Sequence, residues 1–147
     1  MNLRDLDRPL NERGLKDTPR MGKRLRERGV HPDLMVSSPA VRALTTCRAL
    51  ARELGYPEDK IMIDKRLYHA AEEQLLTVIK ECGKFQDPGL VLIIGHNPGL
   101  TEFANRLLDD TIDNIPTCGI VAGELNIQSW DEAGWGCGER EFFETPK

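Results

Sequence analysis

The chain has 147 residues, of which 39% are hydrophobic and 30% charged, and its formal net charge is −4. This length suits one domain with a complete core, and the composition excludes disordered, collagen-like and low-complexity proteins. An acidic chain with a pI near 5.4 lacks the basic field of a dedicated nucleic-acid binder, so we expect no nucleic-acid partner.

The cysteines and the apolar runs indicate the cellular compartment of the protein and whether it associates with a membrane. Four cysteines lie far apart, without the paired spacing of a zinc site or the pattern of a disulfide scaffold, so we expect no metal and a reducing cytoplasmic compartment. No apolar run approaches the ~18 residues of a membrane span, and residues 1–10 are charged rather than signal-like. We therefore expect no membrane partner.

Two helices and a strand are predicted in the first third of the chain. Helical periodicity runs over residues 15–28, and the β-type segment DLMVS at 33–37 follows it. A second helix then begins, with Ser38 predicted as its N-cap and Pro39 as its first residue, and it ends at Gly55.

The middle of the chain continues this alternation. Residues 60–64 predict a strand and residues 72–82 a helix. The segment LVLII at 90–94 is continuously apolar, which is typical of a central parallel strand covered on both faces. Asn97 and Pro98 then predict the N-cap and first residue of another helix.

Two further strands are predicted near the end, over residues 119–127 and 140–144. No repeat or linker interrupts the chain, so we interpret residues 1–147 as a single domain. The alternation of strands and helices predicts an α/β layered domain with a mostly parallel sheet, whose ligands gather beyond the carboxyl ends of the strands.

Arg42 is the first candidate site residue. It lies in the first turn of the predicted second helix, where its positive charge opposes the helix dipole unless an anion binds. The free N–H groups of a helix N-terminus and an adjacent guanidinium together suit a phosphate group. The alternative is a solvated arginine near a helix start.

His96 is the second candidate. It follows the buried strand in the segment Gly95-His96-Asn97-Pro98-Gly99 and precedes a helix, so it faces the same sheet edge as Arg42. Such a histidine could donate to phosphoryl oxygens, or simply stabilise the turn. Two independent corners with complementary groups favour an anion site.

Four segments of the chain form a recognisable set: DRPLNERG (7–14), SSPAVRALTT (37–46), RLYHA (66–70) and GHNPGLTE (95–102). In this order and spacing they resemble the small SixA-type branch of the histidine phosphatase superfamily. The resemblance implies a three-layer αβα domain of the phosphoglycerate-mutase-like type, which works without metal or cofactor and transfers phosphoryl groups through a covalent phosphohistidine.

The resemblance also implies roles for individual residues. Arg42 would match the second arginine of the phosphate pocket, His96 the second histidine that stabilises the transferring group, and Arg8 a basic residue that lines the substrate mouth. The implied partner is a phosphorylated protein, such as a phosphotransfer domain, or a small phosphoester.

The family nucleophile is a histidine in an Arg-His-Gly or Arg-His-Ala motif at the end of a first central strand, and this sequence contains neither motif. Of its three histidines, we interpret His31 as exposed and His69 only as a weak substitute nucleophile. We therefore expect either a truncated or wrongly started enzyme or a degenerate paralogue. Two strands that would flank the missing one should lack a backbone partner.

Two more features have alternative interpretations. Tyr68 and His69 lie where related branches place a general acid, while Glu72 and Glu73 fit better as first-turn helix residues. The basic run 23–28 could dock an acidic protein, but it also fits a solvated helix face.

Three functions remain open from the sequence. The first is a phosphohistidine phosphatase, which as given lacks its nucleophile. The second is a non-catalytic phosphate-binding pseudophosphatase, and the third is a small-metabolite phosphatase or mutase.

Overall fold

The computed structural model describes residues 4–84 and 86–147, so residues 1–3 and 85 of the predicted domain lie outside it. The helices are α1 (Glu12–Glu27), α2 (Val41–Leu54), α3 (Glu72–Lys80) and α4 (Gly99–Leu108). The strands are β1 (Leu34–Ser37), β2 (Met62–Ile63), β3 (Val91–Ile94), β4 (Ile120–Leu125) and β5 (Gly138–Glu144). Across the described ranges, no helix is both long and apolar enough to cross a membrane.

The side chains of β1 alternate between two helical layers. Met35 packs into a cluster with Leu50 of α2, while Val36 packs into a separate cluster with Leu75 of α3 and Phe103 of α4. Because successive strand residues point to opposite faces, the helices must lie on both sides of the sheet. The predicted αβα architecture is confirmed.

The strands form two sheets. The first has the order β2-β1-β3 and is fully parallel, with Ser37 in register with Ile94. The second is the antiparallel hairpin β4-β5, with a register shift between Ala122 and Gly123. The sequence predicted one mostly parallel sheet; in the described chain no strand joins its two parts.

A cleft of about 1040 Å³ separates β3 from β4, and residues of both strands line it. Among the described residues, strand β3 bonds to β1 alone, and its residues are half-buried. Its faces are nevertheless both covered, as predicted, because Val91 and Ile93 pack against one core cluster and Leu92 and Ile94 against the other. The expectation that two strands would lack a neighbour is thus met, within the described residues, at β3 and β4.

The beginnings of two helices differ from the predictions. The prediction of Ser38 as N-cap and Pro39 as first residue of α2 is wrong, because α2 begins at Val41 and Ala40 occupies the cap position. Helix α4 likewise begins after Pro98, although the Asn97 side chain still accepts a bond from the Thr101 N–H at 3.2 Å. In both corners the extra residues form the turn that leaves the strand.

Candidate functional site

The two predicted corners meet at one edge of the parallel sheet. Strands β1 and β3 end side by side, and the Ser38 N–H donates to the Ile94 carbonyl at 3.0 Å just beyond them. Arg42 and His96 project from these corners, and both line the cleft between β3 and β4. The structure therefore brings the two candidate residues to a common cavity.

His96 is held by a buried serine. Its Nε2 atom lies 2.7 Å from Oγ of Ser38, and that oxygen also accepts the Ala40 N–H at 3.2 Å. Burial, assisted by the charge of Arg42, lowers the pKa of His96 to about 4. The imidazole is therefore neutral at pH 7, and Nε2 can accept a hydrogen bond from the serine hydroxyl.

Arg42 binds both the side-chain carboxylate and the backbone carbonyl of Asp5. One guanidinium nitrogen donates to the Asp5 carbonyl at 2.7 Å and the other to Oδ2 at 3.1 Å. Arg8 pairs with the second carboxylate oxygen, Oδ1, at 2.8 Å. The hydroxyl of Tyr68 donates to Oδ2 at 2.7 Å.

Three donors thus converge on one carboxylate, one from the same turn and two from distant parts of the chain. The Tyr68 hydrogen bond, followed by Arg42 and Arg8, holds the pKa of Asp5 below its usual value. Two guanidinium groups and a phenol around two oxygens form a site for an oxyanion.

Tyr68 connects this anion site to His96. Its ring meets the His96 ring edge-on, with the centroids 5.7 Å apart, and it lies 4.0 Å from the ring of His69. His69 is exposed and has a φ of +56°, a left-handed conformation that few non-glycine residues adopt. Both residues of the predicted acid position therefore lie at the rim of the site.

Sequence reasoning placed no function on Asp5 or on the Ser38 side chain. Asp5 meets partners 37 and 63 residues away, and Ser38 meets His96 across 58 residues. No local periodicity could signal these contacts, since they depend on the order of the strands.

The other charged candidates have structural partners. Glu72 pairs with Arg106 at 3.1 Å, in keeping with its interpretation as a helix residue. In the basic run, Arg28 pairs with Glu144 at 2.9 Å and Arg26 with Glu53 at 3.1 Å. These pairs favour the structural interpretation of the run. His31 is exposed, as predicted.

Metal ligands do not cluster at this site. Within residues 4–84 and 86–147, no group of three or more His, Cys, Asp or Glu side chains is arranged to hold a metal ion.

The sequence comparisons give one family and one curated relative. Residues 3–68 match the model of the histidine phosphatase superfamily (branch 1). An uncharacterized chloroplastic protein of Arabidopsis thaliana is 29% identical over 142 residues, which is 90% of this chain. The chain spans 63% of the length of that relative.

Solved structures of SixA proteins share the fold. The putative phosphohistidine phosphatase SixA from Nakamurella multipartitia has a TM-score of 0.84 at 19% identity, and the one from Agrobacterium tumefaciens has 0.79 at 24%. The protein histidine phosphatase SixA complexed with tungstate has 0.80 at 21%. Each match covers 99% of this chain and 89% of the other. The chain is thus similar to the histidine phosphatase superfamily (branch 1) over residues 3–68, and it shares its fold with the solved SixA structures.

Proposed function

We propose that the chain forms the phosphate-binding part of a SixA-type phosphohistidine phosphatase, acting on a phosphorylated protein. The observation that carries this proposal is the convergence of Arg8, Arg42 and Tyr68 on one carboxylate beside His96. Tungstate, the ligand of one SixA structure with this fold, is a tetrahedral oxyanion like phosphate. The donors that hold a carboxylate here also suit such an anion.

The proposed reaction transfers a phosphoryl group from a histidine nitrogen of the substrate to water. The P–N bond breaks, water supplies the oxygen of the new P–O bond, and its protons go to the leaving imidazole and to the released phosphate. Arg42 would bind two phosphoryl oxygens as a fixed fork, which stabilises the charge that they carry in the transition state. Arg8 would bind the substrate at the mouth of the site.

His96 would act as a neutral hydrogen-bond partner until the phosphoryl group arrives. Its lowered pKa reflects burial and the nearby Arg42. A bound dianion would oppose both effects and raise this pKa, so that a protonated ring nitrogen can donate a hydrogen bond to a phosphoryl oxygen.

A second function is favoured by the histidines themselves. The sequence has no Arg-His-Gly or Arg-His-Ala segment, and Nε2 of His96 is engaged by Ser38. We therefore propose that these 147 residues alone bind phosphate without turning over a phosphoester, as a pseudophosphatase would. The two functions share one binding site and differ only in the nucleophile.

The experiment that tests the proposal measures orthovanadate binding and phosphatase activity with the same 147-residue protein. We expect vanadate binding that is lost in Arg42→Ala and kept in Arg48→Ala, an exposed arginine of the same helix. Absence of vanadate binding in the folded wild-type protein would contradict the phosphate site.

Activity separates the two functions. With p-nitrophenyl phosphate and a phosphohistidine peptide, we expect no turnover by the 147 residues and turnover once an N-terminal extension with an Arg-His-Ala segment is added. Turnover without the extension would refute the role of an Arg-His nucleophile. Binding with no turnover in either protein would support the pseudophosphatase.

The compartment and partner remain part of this proposal. Cys47, Cys82, Cys118 and Cys137 are all free thiols, which fits the reducing cytoplasmic setting expected from the sequence. A phosphorylated protein, such as a phosphotransfer domain, is the partner that the proposed reaction requires.

A further inference from the structure

We propose that Asp5 is a built-in competitor of the phosphoryl group, so that an anion enters the site only by displacing the Asp5 carboxylate. This inference rests on the proposed function, because it assumes that Arg42 binds phosphate. It adds a residue that sets the affinity and selectivity of the site.

The competition follows because Asp5 already occupies the hydrogen-bond donors that a phosphate would need. Asp5 takes both terminal nitrogens of Arg42, one through its carbonyl and one through Oδ2. It also takes Arg8 through Oδ1 and the Tyr68 hydroxyl through Oδ2. A phosphate that makes a bidentate contact with Arg42 needs the same nitrogens, and the two anions would repel each other if both stayed.

The structure allows Asp5 to leave at small cost. Asp5 begins a three-residue 3-10 turn, Asp5–Asp7, that buries no residue. Its side chain is 41% exposed, whereas that of Arg42 is only 21% exposed. Two backbone hydrogen bonds close the turn, from Asp7 to Arg4 and from Arg8 to Asp5. The turn can therefore move away while the guanidinium stays on α2.

The charge of an anion determines whether it can displace the Asp5 carboxylate. A carboxylate carries one negative charge, and a phosphate monoester near pH 7 carries between one and a half and two. The dianion gains more from Arg8 and Arg42 than the carboxylate loses, while a monoanion such as acetate or chloride gains no more than Asp5 already has. The internal carboxylate would thus select for dianionic phosphoryl groups.

The test is a calorimetric titration of orthophosphate into the wild-type protein and three variants at pH 7. In Asp5→Asn we expect phosphate to bind at least about tenfold more tightly, because the competing charge is gone and only neutral oxygens still hold the donors. The matched control is Asp7→Asn, which removes the same charge from the same turn but from a residue that pairs with Arg4. We expect it to change the affinity by less than about twofold.

The outcomes separate this inference from the proposed function. If wild type binds phosphate and Asp5→Asn binds it no more tightly, or if Asp7→Asn has the same effect, the competitor role of Asp5 is wrong and the phosphate site stands. If neither wild type nor Asp5→Asn binds phosphate, the proposed function fails, and the inference with it. Arg42→Ala, the third variant, should not bind in any case.

A second measurement does not depend on a variant that folds. The carboxyl carbon of Asp5 in the wild-type protein can be followed by NMR as orthophosphate is added. We expect its pKa to return towards the ordinary value when phosphate saturates the site, since the Tyr68 and arginine contacts are lost. A carboxyl pKa that stays low at saturation would overturn the displacement.

Discussion

Nε2 of His96 lies 2.7 Å from Oγ of Ser38, and these two residues follow the neighbouring strands β1 and β3. The contact joins the carboxyl ends of two neighbouring parallel strands, and the serine is fully buried. The contact fixes the ring that faces the cleft, while burial and the charge of Arg42 lower the pKa of His96, so that the histidine resists protonation.

The first prediction concerns this resistance. The folded-state pKa of His96 is about 4 against an ordinary 6.5, so between these values the unfolded chain binds a proton that the folded chain does not. The unfolding free energy therefore rises with pH across this window, and His96 contributes about 1–2 kcal/mol of the rise, reduced by solvent screening of a half-buried ring.

Denaturant unfolding from pH 4 to 7 checks this prediction. The pH dependence should become shallower in His96→Gln and stay unchanged in His31→Gln, the exposed control. Equal slopes for wild type and His96→Gln would show that the ring is not kept neutral by folding.

The second prediction separates charge from geometry at Arg42. Arg42→Lys keeps the positive charge but loses the planar fork, so we expect vanadate to bind about tenfold more weakly than to wild type. Arg48→Lys on the exposed side of α2 is the control and should bind as wild type does. Calorimetry measures both. Wild-type affinity in Arg42→Lys would mean that the site senses only charge.

The third prediction concerns the close approach of α4 to the segment after Tyr68. A Cβ atom on Gly99 would collide with the backbone carbonyl of Ala70, which cannot move cheaply. We expect Gly99→Ala to lower the unfolding free energy by about 1–3 kcal/mol through this overpacking. Gly134 has open space around it, so Gly134→Ala should cost little. Chemical denaturation of the two variants gives the comparison, and equal stability would argue against the contact.

The fourth prediction concerns the attachment of β5 to α1. Glu144 pairs with Arg28 at 2.9 Å and Arg24 at 3.5 Å, and Arg28 lies over the Phe142 ring. Glu144→Gln should lower the melting temperature by a few degrees at low salt, and added salt should shrink the difference because it screens partly exposed pairs. Glu139→Gln, an exposed carboxylate of the same strand, is the control. A difference that grows with salt would contradict an ionic origin.

Local patterns predicted the elements well. The end of α2 at Gly55 follows from a glycine with φ of +72°, which suits the left-handed turn after a helix. The predicted strand 33–37 became β1 and the segment 90–94 became β3, each shortened by one residue. Apolar runs and helix-ending glycines depend only on residues close in sequence, so the elements that they define can be predicted from the sequence alone.

The site was only partly predictable. Arg42 and His96 could be placed at one edge because parallel strands end together. Asp5 gave no such signal, because it lies in a charged segment without periodicity and its partners come from α2 and the segment before α3. Ser38 was interpreted through a helix-capping rule, while its hydroxyl instead serves the histidine across the sheet.

The cleft between β3 and β4 also separates the molecule into two parts, the parallel sheet and the hairpin β4-β5, that can unfold separately. Within the described residues, the hairpin β4-β5 shares no backbone ladder with the parallel sheet and is tethered by side chains and by a bond from the Gly136 N–H to the Arg106 carbonyl at 2.8 Å. Sub-global opening follows such seams. Amide protons of the hairpin should therefore exchange with deuterium earlier than those of β1, because the hairpin opens before the parallel sheet unfolds.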